Sequence, residues 1–335
     1  MLIRRCSLTP AAAARPKPPV IYSWALTLAV VLAAAPAFGQ PFEIGADQER
    51  VTVTAGERPV FVYRFGNVPA KPYVEALYTP GGINVLRDAP SDHLHHHGLM
   101  FAVSVGEVSF WEEKDGSGRQ RHGGFERLWA KSRDGRKQAA LVETLRWLAP
   151  PSEDALLTEL RTIAVCPAEQ LAATLLTWDT RLTAPAEQQR VLGGSHYYGL
   201  GMRFVEAMDR DGTMLSAAGQ AGETVRGSER LVGAKWVAYT AVVDGKTVTA
   251  ALFDHPGNPR HPARMFTMTA PFAYLSATMN LWKEPLRMAP GQTLHLRYGV
   301  AACDGHLTAE DVEQLHALWL QQVEARPSSV QGPAP

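Results

Sequence analysis

Short β-forming segments separated by turn signals run through almost the whole chain, and this pattern limits the fold more than any other feature. Val51 and Val53 alternate with threonines, and two long β-rich stretches cover residues 156–165 and 172–183. Alternation with a period of two residues is typical of strands with one buried face. Asp244-Gly245 stands between β-branched runs, which is the sequence signature of a tight hairpin. Most of the chain is therefore expected to form antiparallel sheets.

A helix is predicted only near the end of the chain. Thr308 can cap it and Asp311 follows three residues later, as in a capping box. Apolar side chains then recur on one helical face, at Val312, Leu315, Trp319 and Val323. The sequence predicts an all-β fold: a large antiparallel β-sandwich over residues 41–325 as a single domain, with one C-terminal helix and a disordered tail over 326–335.

The first 39 residues have the layout of a secretory signal peptide. Basic residues precede an apolar run over residues 21–35, and small residues follow near Ala37 and Gly39. The run is shorter than the roughly 20 apolar residues that a membrane-spanning helix needs. We therefore expect export to the periplasm or beyond the cell, which leaves Cys166 and Cys303 as the cysteines of the mature chain. Whether these two pair is left open.

Charge excludes one class of partner. The chain has 33 basic and 33 acidic residues, so no overall field attracts nucleic acid. After the leader, no apolar stretch is long enough to cross a bilayer. A small-molecule or oligosaccharide substrate is the expected partner.

Four histidines within five positions form the most unusual motif, Asp92-His93-Leu94-His95-His96-His97-Gly98. In an extended backbone, His93, His95 and His97 would share one face and His96 would lie on the other. Two interpretations are open. The set is either a site for a divalent transition metal, with His93, His95, His97 and Asp92 as ligands, or an acid–base set without a metal, with His95 and His96 as catalytic groups.

Two further segments carry polar side chains in positions suited to a site. In Ser195–Phe204, glycines interrupt a strand that carries His196, Tyr198 and Arg203. In Asp254–Pro262, three prolines stiffen a loop that carries His255 and Asn258. We predict His196 and His255 as further catalytic groups, and Arg203, Asn258 and Tyr198 as substrate-binding groups.

Two other side chains complete the predicted site. Trp111 could present its flat ring to a sugar, and Asn280 precedes a turn where it could line the pocket. Both are predicted as substrate-binding residues.

Several motifs together resemble a known bacterial family. They are Asp92-His93-x-His95-His96-x-Gly98-Leu99, Phe110-Trp111, Tyr198-Gly199-Leu200-Gly201-x-Arg203-Phe204, Asp254-His255-Pro256-x-Asn258-Pro259, Glu284-Pro285-Leu286 and Leu296-Arg297-Tyr298. On these motifs the chain resembles the PmoA family, also called methane oxygenase PmoA. The resemblance implies a galactose-mutarotase-like supersandwich with histidines and carboxylates in a shallow groove, and an association with carbohydrate use.

The leading functional hypothesis is an exported carbohydrate-active enzyme of the hydrolase, lyase or epimerase class, which uses a histidine-rich groove. One alternative is a metal-dependent oxidoreductase, as the family name suggests, with copper, iron or zinc on the histidines. Another is a periplasmic carbohydrate-binding protein.

Overall fold

The β-forming segments are strands in the computed structural model, which describes residues 40–133 and 136–324. The predicted signal peptide (1–39), residues 134–135 and the predicted tail (326–335) lie outside the described residues. The boundaries of a single domain over residues 41–325 stay a prediction.

The strands, numbered in chain order, fall into two runs. The first run is β1 (Phe42–Ala46), β2 (Arg50–Ala55), β3 (Arg58–Arg64), β4 (Tyr73–Leu77), β5 (Leu99–Ala102), β6 (Ser104–Val105), β7 (Val108–Ser109), β8 (Arg119–Arg133), β9 (Arg136–Leu148), β10 (Ala155–Ala168) and β11 (Ala173–Thr183). The second run is β12 (Arg190–Gly193), β13 (Gly199–Arg203), β14 (Thr213–Ser216), β15 (Glu223–Arg226), β16 (Glu229–Gly233), β17 (Trp236–Val243), β18 (Lys246–Asp254), β19 (Arg264–Met268), β20 (Tyr274–Thr278), β21 (Leu286–Met288) and β22 (Thr293–Asp304). Short 3₁₀ turns lie at Glu169–Leu171 and Glu206–Asp209.

These strands form two large antiparallel sheets and one small sheet. The ten-stranded sheet has the order β1-β2-β3-β4-β5-β13-β20-β19-β16-β15, and the eight-stranded sheet has the order β14-β17-β18-β22-β11-β10-β9-β8. The small sheet has the order β21-β12-β6-β7. The hairpin predicted at Asp244-Gly245 joins β17 to β18, and both turn residues have positive φ, as a type I′ turn requires.

The core between the two large sheets sets which side chains of the ten-stranded sheet face outward. Phe101 on β5 packs against Trp147 of the eight-stranded sheet, with ring centroids 6.2 Å apart. Leu200 on β13 pairs with Phe101 and therefore points the same way, into the core. Because side chains alternate along a strand, Gly201 and Arg203 lie on the opposite, outer face. Their cross-strand partners on β20, Ser276 and Tyr274, lie on that face with them.

Helix α1 (Ala309–Glu324) covers the outer face of the eight-stranded sheet. Its capping box forms as expected: the Asp311 amide donates to Thr308 Oγ1 at 3.2 Å, and the Thr308 amide donates to the Asp311 carboxylate at 2.8 Å. Trp319 packs over Gly299, where a Cβ atom would lie 2.6 Å from the indole. The predicted all-β sandwich with a C-terminal helix is confirmed.

Cys166 and Cys303 are both buried and do not form a disulfide. Within the described residues, no helix has the length and apolar character needed to cross a membrane.

Candidate functional site

The histidine motif is folded into turns and is not extended. The His93 amide donates to Pro90 O at 2.9 Å, and the His96 amide donates to His93 O at 2.9 Å. The rings of His93 and His96 stack with centroids 4.6 Å apart, and the ring of His95 lies edge-on to His96 at 4.6 Å. The predicted alternation is therefore wrong, because these turns bring three imidazoles together.

His97 points away from the other three histidines into a network of buried charges. Its Nδ1 lies 2.6 Å from Asp88 Oδ1 and its Nε2 lies 3.0 Å from Glu113 Oε1, and the same Glu113 oxygen accepts from Lys71 Nζ at 2.7 Å. The ring also stacks on Tyr73, 4.3 Å away. Burial lowers the pKa of His97, but the two carboxylate hydrogen bonds outweigh burial and leave this pKa raised. His97 therefore anchors the turns and does not face a ligand.

The predicted metal site is not assembled. Asp92 and His93 are neighbours, with 3.1 Å between Oδ2 and Nδ1. His97 is not near them, because its ring nitrogens contact Asp88 and Glu113. Within the described residues, no group of three or more His, Cys, Asp or Glu side chains is placed to hold a metal ion. The prediction of His93, His95, His97 and Asp92 as one ligand set is wrong.

The network around His97 predicts a pH dependence of stability. A group whose pKa is raised by folding contributes stability that is complete below its ordinary pKa of about 6.5 and disappears as pH rises through the raised value. We expect the free energy of unfolding lost in His97→Gln to be larger at pH 6 than at pH 9, as measured by urea unfolding. His306→Gln, at an exposed histidine, should show no such trend. A loss that grows with pH would contradict the assignment.

A row of aromatic side chains extends across the outer face of the ten-stranded sheet. From His96 it continues through Trp111 (6.2 Å between centroids) to Tyr197 (5.3 Å), His196 (5.0 Å) and Trp282 (5.9 Å). We call the surface from His93, His95 and His96 at one end to His196 and Trp282 at the other the histidine face. The histidine face therefore contains residues of both the histidine motif (92–98) and the predicted segment Ser195–Phe204.

Arg203 lies beneath the histidine turns and is only 2 % exposed. Its Nη2 is 3.2 Å from Asp92 and 3.7 Å from Asp209, and its guanidinium carbon lies 3.5 Å from the centroid of Phe272. Burial lowers the pKa of Arg203, although the negative charges of Asp209 and Asp92 act to raise it. The neighbouring His96 is also buried, and burial together with the charges of His95, His93 and Arg203 lowers its pKa to about 2.

Unpaired polar atoms concentrate at this end of the histidine face. Within the described residues, nine buried side-chain nitrogen or oxygen atoms lack a well-aligned hydrogen bond, and five of them belong to His96, Trp111, Arg203 and Tyr274. A sixth, Nδ1 of His93, lies 3.1 Å from Asp92. Each such atom costs on the order of 1–3 kcal/mol, so native proteins contain few without a reason. Their concentration here indicates a site prepared for a group that supplies hydrogen bonds.

His95 is the member of the cluster best placed to exchange a proton. It is half-buried, and burial lowers its pKa, although the charge of Glu112 opposes this shift. It is therefore neutral at physiological pH and can accept a proton. The pKa of His96 is lowered to about 2, so this imidazole is a far weaker base than an ordinary histidine, and its predicted role as an acid–base group is not supported.

His196 forms a second hydrogen-bonded unit at the other end of the histidine face. Its Nε2 lies 3.2 Å from Glu229 Oε2, and its Nδ1 lies 3.3 Å from Ser195 Oγ. Glu229 is buried and is held by Arg226 at 2.6 Å. Trp282 stands beside this unit with 40 % of its surface exposed.

His255 and Asn258 do not belong to this site. Phe253 faces α1, so His255, two residues later, lies on the same outer side of the eight-stranded sheet, with its ring 5.8 Å from Trp319. Asn258 donates to Asp254 and to Arg297 O, both at 2.7 Å. The histidine face is on the far side of the sandwich. The prediction that His255 and Asn258 complete the site is wrong, because their loop is a structural connection between β18 and β19.

Two other predicted binding residues also have different surroundings. Trp111 is fully buried and stacks on Tyr198, with centroids 4.9 Å apart and planes 9° from parallel. Neither ring face of Trp111 is open to a sugar, so its prediction as a stacking platform is wrong. Asn280 donates to Glu284 at 3.3 Å within its own turn.

Sequence reasoning did not identify four side chains of the site. Glu229, Phe272 and Tyr274 lie in segments without a motif, and Glu112 directly follows the Phe110-Trp111 motif. Only Gly201 gave a signal, because a glycine within a strand often marks a close approach. A Cβ atom at this position would lie 2.0 Å from the Tyr274 hydroxyl.

Comparison with solved structures finds low similarity. The galactosidase domain of alpha-galactosidase-sucrose kinase AgaSK shares 12 % identity at a TM-score of 0.49, over 78 % of this chain and 42 % of that one. The GH36 alpha-galactosidase AgaB from Geobacillus stearothermophilus shares 12 % identity at 0.48, over 82 % and 42 %. A galactose mutarotase-like protein from Clostridium acetobutylicum shares 10 % at 0.38, over 79 % and 98 %. The chain spans less than half the length of the two galactosidases.

Comparison of sequences corrects one prediction. No curated protein matches the chain. The resemblance to the PmoA family is not supported, because the family model that matches is a different one. That model is described as a family of unknown function, DUF6807, and it matches residues 50–317, so the chain belongs to this family.

Proposed function

We propose that this protein is an exported, carbohydrate-active enzyme that transfers protons to and from a sugar bound on the histidine face. The observation that carries the proposal is the position of His95, a half-buried imidazole with a lowered pKa, next to the cluster of unpaired buried polar atoms. An imidazole with a lowered pKa is neutral at physiological pH and is therefore in the form that can accept a proton. Export is supported by the sequence of residues 1–39 and remains part of the proposal.

The two ends of the histidine face have different roles in this proposal. His95 acts as general base at one end, where Arg203 and Tyr274 supply hydrogen-bond donors. At the other end, Trp282 offers an exposed ring to the C–H surface of a second sugar unit, and Glu229 holds His196 beside it. β13 is five residues long, so at roughly 3.3 Å per residue the two ends are separated by about the length of two or three sugar rings. An oligosaccharide therefore fits the face better than a single sugar.

The proposal is tested by following mono- and oligosaccharides with the purified protein by NMR. Change of a glycosidic linkage, of ring stereochemistry or of unsaturation would identify the reaction. Binding without any turnover would favour a carbohydrate-binding protein instead. Neither binding nor turnover across neutral and acidic sugars would reject the proposal.

Trp282→Ala is expected to weaken oligosaccharide binding at least about fivefold, because loss of the ring removes on the order of 1 kcal/mol of apolar contact. Monosaccharide binding at the His95 end should change little. Calorimetric titration measures both, and Arg287→Ala, at an exposed position on the nearby strand β21, is the control. Equal loss for both ligand sizes would contradict the assignment of Trp282 to a second sugar unit.

A further inference from the structure

The unpaired atoms beneath the histidine turns are mainly hydrogen-bond donors. Arg203 has unpaired N–H groups at Nε and Nη1, and the Tyr274 hydroxyl has no partner. Arg203 and Tyr274 face one another across β13 and β20 on the outer face. The ring of His96 is 5.2 Å from that of Tyr274, and His95 adjoins His96. A cluster of buried, unpaired donors therefore lies next to the proposed base.

Donors of this kind require an acceptor oxygen, and the charges around them indicate which type. Arg203 already has two carboxylates near it, Asp92 at 3.2 Å and Asp209 at 3.7 Å. Arg87 lies near Asp209 at 3.8 Å but is also paired with Glu206 at 3.3 Å. Two cations thus face three carboxylates. A further anion would be repelled at this position, whereas an uncharged carbonyl oxygen would accept the free N–H and O–H groups without that cost.

A carbonyl oxygen would also explain why a base is placed next to the donors. A C–H group of an ordinary sugar is too weakly acidic for an imidazole to deprotonate. A C–H group next to a carbonyl is much more acidic, because the negative charge moves to the oxygen. Donors aimed at that oxygen stabilise the charge as it develops.

We infer, on the basis of the proposed function, that Arg203 and Tyr274 bind an uncharged carbonyl oxygen of the sugar substrate while His95 removes the proton from the adjacent carbon. The C–H electron pair becomes the C=C bond of an enolate, the carbonyl π pair moves to oxygen, and the proton goes to His95. The protonated His95 then returns a proton to carbon, which gives exchange or epimerisation. Where the next carbon bears an alkoxy group, the enolate re-forms the carbonyl, its C=C pair forms a new C=C bond to that carbon, and the C–O bond breaks; the departing alkoxide takes the proton from His95, which gives elimination. The substrate class is a sugar with a ketone, ester or other neutral carbonyl group.

Three probes with the same ring test this assignment: methyl galactopyranoside, methyl galactopyranosiduronic acid and the methyl ester of that acid. In D₂O, NMR measures replacement of the C5 proton, which is adjacent to the carbonyl in the acid and the ester. We expect exchange of the ester at a rate well above that with His95→Gln, slower exchange of the acid, and none of the parent glycoside. Tyr274→Phe, which removes only the hydroxyl, should slow ester exchange by at least about tenfold. Tyr78→Phe, outside the site, should not change it.

Each alternative result has a definite meaning. Ester exchange no faster than with His95→Gln would overturn the carbonyl assignment, and exchange of the acid faster than the ester would overturn the argument from charge. If mono- or oligosaccharides bind or turn over in the NMR experiment while the ester does not exchange, the proposed function stands and only the carbonyl assignment fails. If neither occurs, both fail.

Discussion

Replacing His95 with glutamine is expected to lower kcat/KM on the substrate by about 10²–10⁴-fold, the range for loss of a general base. Glutamine keeps a polar side chain of similar reach but cannot accept and return a proton. His95 is half-buried on a surface turn, and no hydrogen bond to its ring anchors the fold in the described part of the chain. The free energy of unfolding should therefore stay within about 0.5 kcal/mol of wild type.

The pH profile gives a second measurement of the same residue. Burial lowers the pKa of His95, so half of the base should become protonated only at a pH below the ordinary value of about 6.5. The acid limb of kcat/KM should lie below that pH in wild type and disappear in His95→Gln. Leu94→Ala, at the adjacent side chain with 66 % exposure, is the matched control and should keep both rate and profile. Wild-type turnover by His95→Gln would remove His95 from the mechanism.

The fold was predictable because its signals are local. Period-two alternation, the Asp244-Gly245 turn and the capping box at Thr308 each depend on a few neighbouring residues, and each forms as expected. Strand order was not predictable, since nothing local states that β5 pairs with β13 rather than with another strand. Because that pairing places Arg203 opposite Tyr274, the floor of the site could not be derived from sequence alone.

The wrong predictions about the site had two causes. The histidine motif was assumed to be extended, and the loop of His255 was assumed to lie on the same face as that motif. Treating residues 93–97 as extended grouped His97 with His93, but the turns at Pro90 and His93 reverse this arrangement. His255 was assigned to the site for its composition, yet the register of β18 directs it toward α1. Polar composition indicates that a loop has specific contacts. It does not indicate which face of a sandwich those contacts serve.

The largest effect on stability is expected from Arg161, which is fully buried between the two sheets. Its guanidinium donates to Glu159 through Nε (2.7 Å) and Nη2 (2.9 Å), and to Tyr63 Oη and Pro72 O at 3.0 Å each. Arg161→Met keeps much of the volume but leaves the Glu159 carboxylate buried without its cation. Removing one member of such a pair costs about 3–5 kcal/mol, so urea unfolding should show a loss of this size.

Two comparisons separate the charge effect from lost packing. Arg121 and Glu153 are 2.6 Å apart, as close as the buried pair, but both are exposed to solvent. Arg121→Met should therefore cost no more than about 1 kcal/mol, because water screens the pair and solvates the remaining carboxylate. Adding Glu159→Gln to Arg161→Met should restore part of the lost stability, since it removes the uncompensated charge while Trp147 and Thr180 keep a polar partner there. A double variant that is less stable than Arg161→Met would contradict this explanation. The Arg161 side chain would then stabilise the core by packing and not by neutralising Glu159.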